Sequence, residues 1–252
     1  MFIIRLQFNP QHLSRLLSRP QPHLQVRICT PTHTTPLKTL RIYGNGSGKS
    51  DDIFYGGSGT DTSVYRGKLS NYTITAGAVW NDYTKQSDLQ GFTVTDKTGL
   101  DGRQQLNGVE RLQFTDGTLA LDFNRGDNGY KAAMLIGAAF GKDKVTAFFA
   151  PGIQLFDSGM TTDAVAALIT DLKLVENAIG STSNKAFVDA VYKNVMGVVP
   201  DALSEALYTR YLDSGAMSKT QLLTLAANLG ALENQINLTG LQTSGVLYSV
   251  FI

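Results

Sequence analysis

The sequence predicts an α+β protein, with a small β-region followed by an all-α helical bundle domain. Three observations carry that expectation. From residue 64 to 123 apolar residues alternate with Thr, Gln and Asp at a period of two, as in half-buried strands. Beyond Gly126 this period gives way to apolar spacings of three and four with helix start and stop signals. A glycine-rich stretch from Tyr43 to Val64 opens the β-region in turn-forming sequence. The expected organisation is a leader over 1–41, a β-region over 42–125 and a helical domain over 126–252 whose core spans 183–230.

The leader differs in composition from everything after it. It holds all three histidines (His12, His23, His33), the single Cys29 and five of the seven prolines. Its short apolar runs are broken by Arg5, Asn9, Arg15 and Arg19, which does not suit a Sec signal. The expectation is a disordered leader, or a misassigned start upstream of the true coding region. His12, His23, His33 and Cys29 have no metal-ligand spacing.

Over the whole chain the net charge is +1, but six basic residues and no acidic one fall in the first 41, leaving 16 basic against 21 acidic beyond. A mildly acidic body speaks against nucleic-acid binding. No apolar run approaches the ~20 residues of a membrane span.

Within the glycine-rich stretch, Gly48-Lys49-Ser50 invites a phosphate-loop reading that fails on spacing, because Tyr43 stands where the first glycine is required. Downstream, Tyr72, Ile74 and Val79, then Phe92 and Val94, then Leu112, Phe114, Leu119, Leu121 and Phe123 carry the strand period, with Asp116-Gly117 as the hairpin turn. Asp96, Asp101, Glu110 and Asp116 lie beside Gly, Lys or Arg and read as solvated turn carboxylates rather than an acid/base set.

The helical half is read from its stripes. Tyr130 to Phe140 and Val145 to Leu155 are helix-like, and Thr161 or Thr162 starts a helix with Val165, Leu168, Ile169 and Leu172 on one face. Three more helices follow, with stripes Phe187-Val191-Val195, Leu203-Leu207-Tyr211 and Leu222-Leu225-Ala226-Leu229. Gly197 stops the first, Asp201 caps the second, and Ser218 with Gln221 has capping-box spacing for the third. Phe156-Asp157-Ser158-Gly159 is echoed by Leu212-Asp213-Ser214-Gly215, 56 residues on, so the half reads either as two related units or as common turn chemistry used twice.

Two resemblances add to this. Gly56-Gly57-Ser58-Gly59-Thr60-Asp61 is similar to the glycine-rich nonapeptide of the repeats-in-toxin family of secreted bacterial proteins, and Ser50-Asp51-Asp52 looks like the end of a preceding, degraded repeat. The resemblance implies a β-roll-like turn and a Ca²⁺ site in which Asp52 and Asp61 give carboxylates and Gly57 and Gly59 carbonyls. A plain Gly-Asp turn that starts a sheet is the other reading. The segments Ser70 to Thr75 and Leu106 to Gly117 resemble the block that follows such repeats in type I secreted proteins.

Residues Phe187, Tyr192, Asn194, Val195, Gly197, Pro200, Asp201, Tyr208, Leu212 and Gly215, with the helix from Ser218 to Leu229, resemble the domain of unknown function 4214 of bacterial exported and surface proteins. That family usually has arginine where Val198 stands and glycine where Ser204 stands. The ending Ser249-Val250-Phe251-Ile252 is similar to the apolar tails read by type I exporters.

The expected function is that of a non-enzymatic C-terminal module of an exported bacterial protein, secreted or surface-associated, with the type I secretion machinery as partner and calcium assisting folding. The alternative is a binding module for a surface polysaccharide or another exported protein, using Trp80, Tyr83, Tyr208 and Tyr211. The chain carries no nucleophile elbow and no histidine within its patterned region, so catalysis is not expected.

Overall fold

The computed structural model describes residues 25–27, 41–43, 51–57, 59–81 and 86–249. Two compact units divide between Leu121 and Asp122, four residues before the expected boundary. The fold class is α+β as predicted, a β unit followed by an all-α unit. All three histidines and Cys29 lie outside the described residues, as do Tyr83 and the last three residues.

The β unit is built from strands β1 (Gln25–Arg27), β2 (Arg41–Tyr43), β3 (Asp51–Tyr55), β4 (Thr62–Val64), β5 (Tyr72–Asn81), β6 (Gln86–Asp96), β7 (Arg103–Asn107), β8 (Arg111–Phe114) and β9 (Gly117–Ala120). The chain alternates between two sheets. In one, β1, β3 and β7 run parallel and β6 and β5 continue the sheet antiparallel beyond β7. In the other, β2, β4 and β8 run parallel and β9 pairs with β8 as an antiparallel hairpin. The result is three stacked coils, β1–β2, β3–β4 and β7–β8, with the β5–β6 hairpin inserted between the second and third.

One-residue alternation sends the inner residues into a shared core. Ile42, Ser63 and Leu112 share a register position across the three coils, as do Phe54 and Leu106 in the facing sheet. Tyr65, Tyr72 and Phe114 pack ring against ring at 5.0–5.1 Å between centroids. Each fully buried Phe or Leu here contributes about 1.5–3 kcal/mol of burial. Gln25–Arg27 pairs with Ile53–Tyr55. One expectation is corrected: the hairpin turn is Thr115–Asp116, not Asp116-Gly117, since Phe114 pairs with Gly117.

The helical unit contains α1 (Asn128–Phe140), α2 (Val145–Asp157), α3 (Thr162–Asp171), α4 (Leu174–Ile179), α5 (Asn184–Met196), α6 (Ala202–Asp213), α7 (Lys219–Ala227), α8 (Gly230–Gln235), α9 (Leu238–Ser244) and a short strand β10 (Val246–Tyr248). Local chemistry sets their ends. Thr161, Ser183 and Asp201 accept backbone N–H bonds as N-caps, and Ser218 and Gln221 form the reciprocal capping box at 3.1 and 2.8 Å. Gly197 ends α5 at φ +75°, a left-handed position that glycine takes without strain.

Helices α5–α8 repeat α1–α4. Asn128 Nδ2 donates to Asp157 Oδ1 at 3.0 Å, and Asn184 Nδ2, 56 residues on, donates to Asp213 Oδ1 at 2.8 Å. Gly141 and Gly197, and Gly159 and Gly215, take positive φ at the same offset. The two quartets pack through α1 against α5 and α7, and through α3 against α7. Close approach depends on small residues in α1, where a Cβ on Gly137 would stand 2.6 Å from Ile236 Cγ2.

The stripe of α5 is buried as expected, with Phe187, Val191 and Val195 at 2 % exposure or less. That of α6 is not: Leu203 is 85 % exposed, Leu207 46 % and Tyr211 37 %, and Leu212 is the residue that α6 buries. In α3 and α7 the stripes split, since Val165, Ile169, Leu222 and Ala226 are buried while Leu168, Leu172, Leu225 and Leu229 are exposed. A periodic apolar stripe wider than the contacting face leaves its flank in solvent.

Candidate functional site

The glycine turn Gly56–Asp61 joins β3 to β4 and stacks on the shorter turn that joins β7 to β8. Gly56 N donates to Asn107 O at 2.9 Å, and Asp61 O accepts from Glu110 N at 3.2 Å and Arg111 N at 3.0 Å. Asp61 N in turn donates to Glu110 Oε2 at 2.7 Å. Only glycine fits at Gly56, where a Cβ would lie 1.7 Å from the Gly108 carbonyl oxygen. Gly57 and Gly59 take φ of +124° and +118°.

Strand geometry does not bring the four expected calcium ligands together. Asp61 ends the turn with Gly57 and Gly59 beside it, whereas Asp52 lies within β3, three residues (roughly 10 Å along the strand at about 3.3 Å per residue) before its last residue, Tyr55. Both carboxylates are on buried residues. The acidic neighbour of Asp61 is Glu110, brought there by the parallel pairing of β4 and β8. Among the described residues no three His, Cys, Asp or Glu side chains stand close enough to hold a metal. The turn thus offers hard oxygen donors, but not the set expected from sequence.

The other acidic residues of the β unit do structural work. Asp96 and Asp101 are buried rather than solvated. Asp101 accepts from Tyr72 Oη, Arg66 N and Arg66 Nε. Asp96 accepts from Thr98 N and Oγ1 and from Asp101 N, each at 2.7 Å. Burial pushes the Asp96 carboxyl up, and the opposing bonds from Thr98, Asp101 and Leu100 together hold it below its ordinary value. Burial and donation to Asp101 raise the Tyr72 phenol. Asp116 is exposed and caps Leu69 N at 2.8 Å. These carboxylates tie turns down rather than face a shared cleft.

In the second quartet, α5, α6 and α7 line a half-open cavity of about 220 Å³. Val188, Val191 and Leu222 supply apolar wall, while Tyr192, Ser204 and Tyr208 are the lining residues that carry hydroxyl groups. The Ser204 hydroxyl donates to Asp201 Oδ2 at 3.0 Å, which ties this wall to the α6 N-cap. Outside the cavity Tyr211 meets Tyr208 edge to face at 6.5 Å. This arrangement can hold an apolar group carrying a hydrogen-bonding edge. Tyr192 and Ser204 are wall residues that the periodicity does not flag, because each reads as the polar side of its helix.

Residues 172–235 match the family model described as Domain of unknown function (DUF4214). The DUF4214 match spans α4 through α8, so it covers the second quartet and the last helix of the first. Of the two departures from the family pattern, Ser204 lines the cavity and Val198 is 61 % exposed. No curated protein and no solved structure matches the chain.

Proposed function

We propose that the chain is a non-enzymatic C-terminal module of a bacterial exported protein, serving type I secretion, calcium-assisted folding or attachment at the cell surface. The observation that carries this reading is the parallel register of β3 on β7 and β4 on β8, which stacks a glycine turn on the next coil as a β-roll does. In this reading Ca²⁺ at the turn would be held by Asp61, Glu110 and the Gly57 and Gly59 carbonyls, stiffening stacked turns only where calcium is abundant. Asp52 has no part in that site.

The test has two arms. Millimolar calcium should raise the melting temperature of the β unit, and Asp61→Ala should remove the rise; a rise that survives the substitution would overturn the metal assignment. Export through a type I system should fail when Val250–Ile252 are removed. That truncation spares Val246 and Tyr248, which are buried, so a shorter chain would confuse export with folding. Unimpaired export would overturn the secretion reading.

A second reading, a binding module for a surface polysaccharide or another exported protein, is supported by Tyr192 and Tyr208 at the cavity of the second quartet and by Tyr211 beside Tyr208. Tyrosines there offer ring faces and hydroxyls together, as sugar recognition requires. Tyr208→Ala should abolish adhesion to polysaccharide without lowering the melting temperature by more than a few degrees. Adhesion that is unchanged would exclude this site.

A further inference from the structure

The DUF4214 match covers the second quartet and α4 of the first, but a cavity occurs in both quartets. A second cavity, of about 350 Å³, lies among α1, α2, α3 and α4. Its α1 wall is Ala132, Leu135, Ile136 and Phe140, and the wall of the other cavity has Val188, Val191, Tyr192 and Met196 at the same positions 56 residues on. The α3 wall, Val165 and Ile169, is matched by Leu222 and Ala226 at 57. A gap that recurs at equivalent positions in two quartets with different side chains is a feature of the repeat, not a packing fault of one copy.

The two cavities differ in polarity. Where the second has Tyr192, Ser204 and Tyr208, the first has side chains of Ala, Leu, Ile, Phe, Pro, Gly and Val only. Water in it has no side-chain partner, and a polar ligand group would be left unpaired at a cost of about 1–3 kcal/mol. The volume is about twice that of the ~150 Å³ cavity that takes benzene, which leaves room for roughly a dozen carbon atoms. Phe148, 41 % exposed and tilted against Phe140 at 4.9 Å between ring centroids, stands at the rim with Leu174 and the exposed Ala178.

We propose that the first quartet binds a neutral hydrocarbon chain, inserted between α1 and α4 with any polar end left at the Leu174–Ala178 rim. This holds whether or not the chain is exported. The full-length protein should brighten the neutral probe N-phenyl-1-naphthylamine, and dodecanol should displace the probe. Dihexanoylphosphatidylcholine, kept below its critical micelle concentration so that no bilayer takes up the probe, forms the second competitor: displacement by dodecanol alone assigns a free chain, and displacement by both assigns a lipid acyl chain.

Ala178→Phe narrows the rim from an exposed position and should weaken the probe about tenfold or more. Leu174→Glu places a carboxylate at the wall while suiting a helix N-terminus, and should do the same with the melting temperature retained. Asn234→Phe, at an exposed position of α8 outside this cavity, should leave probe binding unchanged. No brightening, no displacement by dodecanol, or full binding by both folded rim variants would overturn the proposal.

Discussion

Lys219→Met should destabilise the helical unit far more than its surface position implies. Glu176, in the first turn of α4, is 5 % exposed, and Lys219 Nζ lies 2.9 Å from its Oε1. The other oxygen, Oε2, is buried with no hydrogen-bond partner. Lys219 also reaches Thr182 O at 3.3 Å and sits 5.2 Å from the Phe187 ring centroid, so one cation joins α4, α5 and α7. Removing one member of a buried pair typically costs about 3–5 kcal/mol. The lysine side chain is 23 % exposed, so water can reach the stranded carboxylate and the expected loss falls to about 2–3 kcal/mol. Glu176→Gln keeps an acceptor and deletes the charge, for a loss of about 1 kcal/mol. The double variant should then resemble Glu176→Gln, giving a coupling of about 2–3 kcal/mol in a double-mutant cycle. Urea unfolding followed by helical circular dichroism measures all four proteins. A Lys219→Met loss within about 0.5 kcal/mol, or strictly additive variants, would refute the pair as a structural tie.

Four further outcomes are expected. Gly56→Ala should prevent the coils from stacking, because a methyl 1.7 Å from the Gly108 carbonyl has no room; strand circular dichroism of the variant would show the loss. The Asp96 carboxyl is held below 3.8, so its stabilisation is present above that pH and disappears as pH falls through the folded value; acid titration of Asp96→Asn should therefore show a flatter acid limb than wild type. Leu203→Lys should change stability by no more than about 0.5 kcal/mol, whereas Phe187→Ala should cost about 3–5 kcal/mol in the same denaturation experiment. A fragment of residues 122–252 should melt cooperatively, and one beginning at 127 should melt lower, since it lacks Phe123, which is fully buried and packs 5.7 Å from Phe149.

What could be read from sequence was what local chemistry decides. The Ser218–Gln221 box, the Asp201 cap and the Gly197 stop each act within four residues, and each formed as its residues dictate. The α6 stripe failed because i, i+4 spacing identifies a face without saying what meets it; Leu212, one position off the stripe, is what the quartet buries. Asp96 and Asp101 read as solvated because a carboxylate that satisfies turn N–H groups has the same neighbours in sequence as one that faces water. Nor does spacing reveal that β3 pairs with β7 across an inserted hairpin, and that non-local register is what sets Glu110, not Asp52, beside Asp61.

The duplication separates what the helical fold requires from what one copy has acquired. Leu168 and Leu225 are both exposed, as are Leu172 and Leu229, at the same 57-residue offset, so exposure there follows from how the quartets meet. Buried positions repeat as well: Val165 with Leu222, Phe156 with Leu212, and Val175 with Leu232. Against that shared frame the Leu203-Leu207-Tyr211 ridge stands out, because the α2 residues 56 before it are Ala147, Pro151 and Leu155. A proline and an alanine make no apolar ridge. The second quartet therefore adds an exposed leucine–tyrosine surface and a hydroxyl-lined cavity to a scaffold whose first copy keeps its cavity purely hydrocarbon. Pairing required the interface between quartets to be retained and left the outer walls free to diverge, and it is at those walls that the two copies differ.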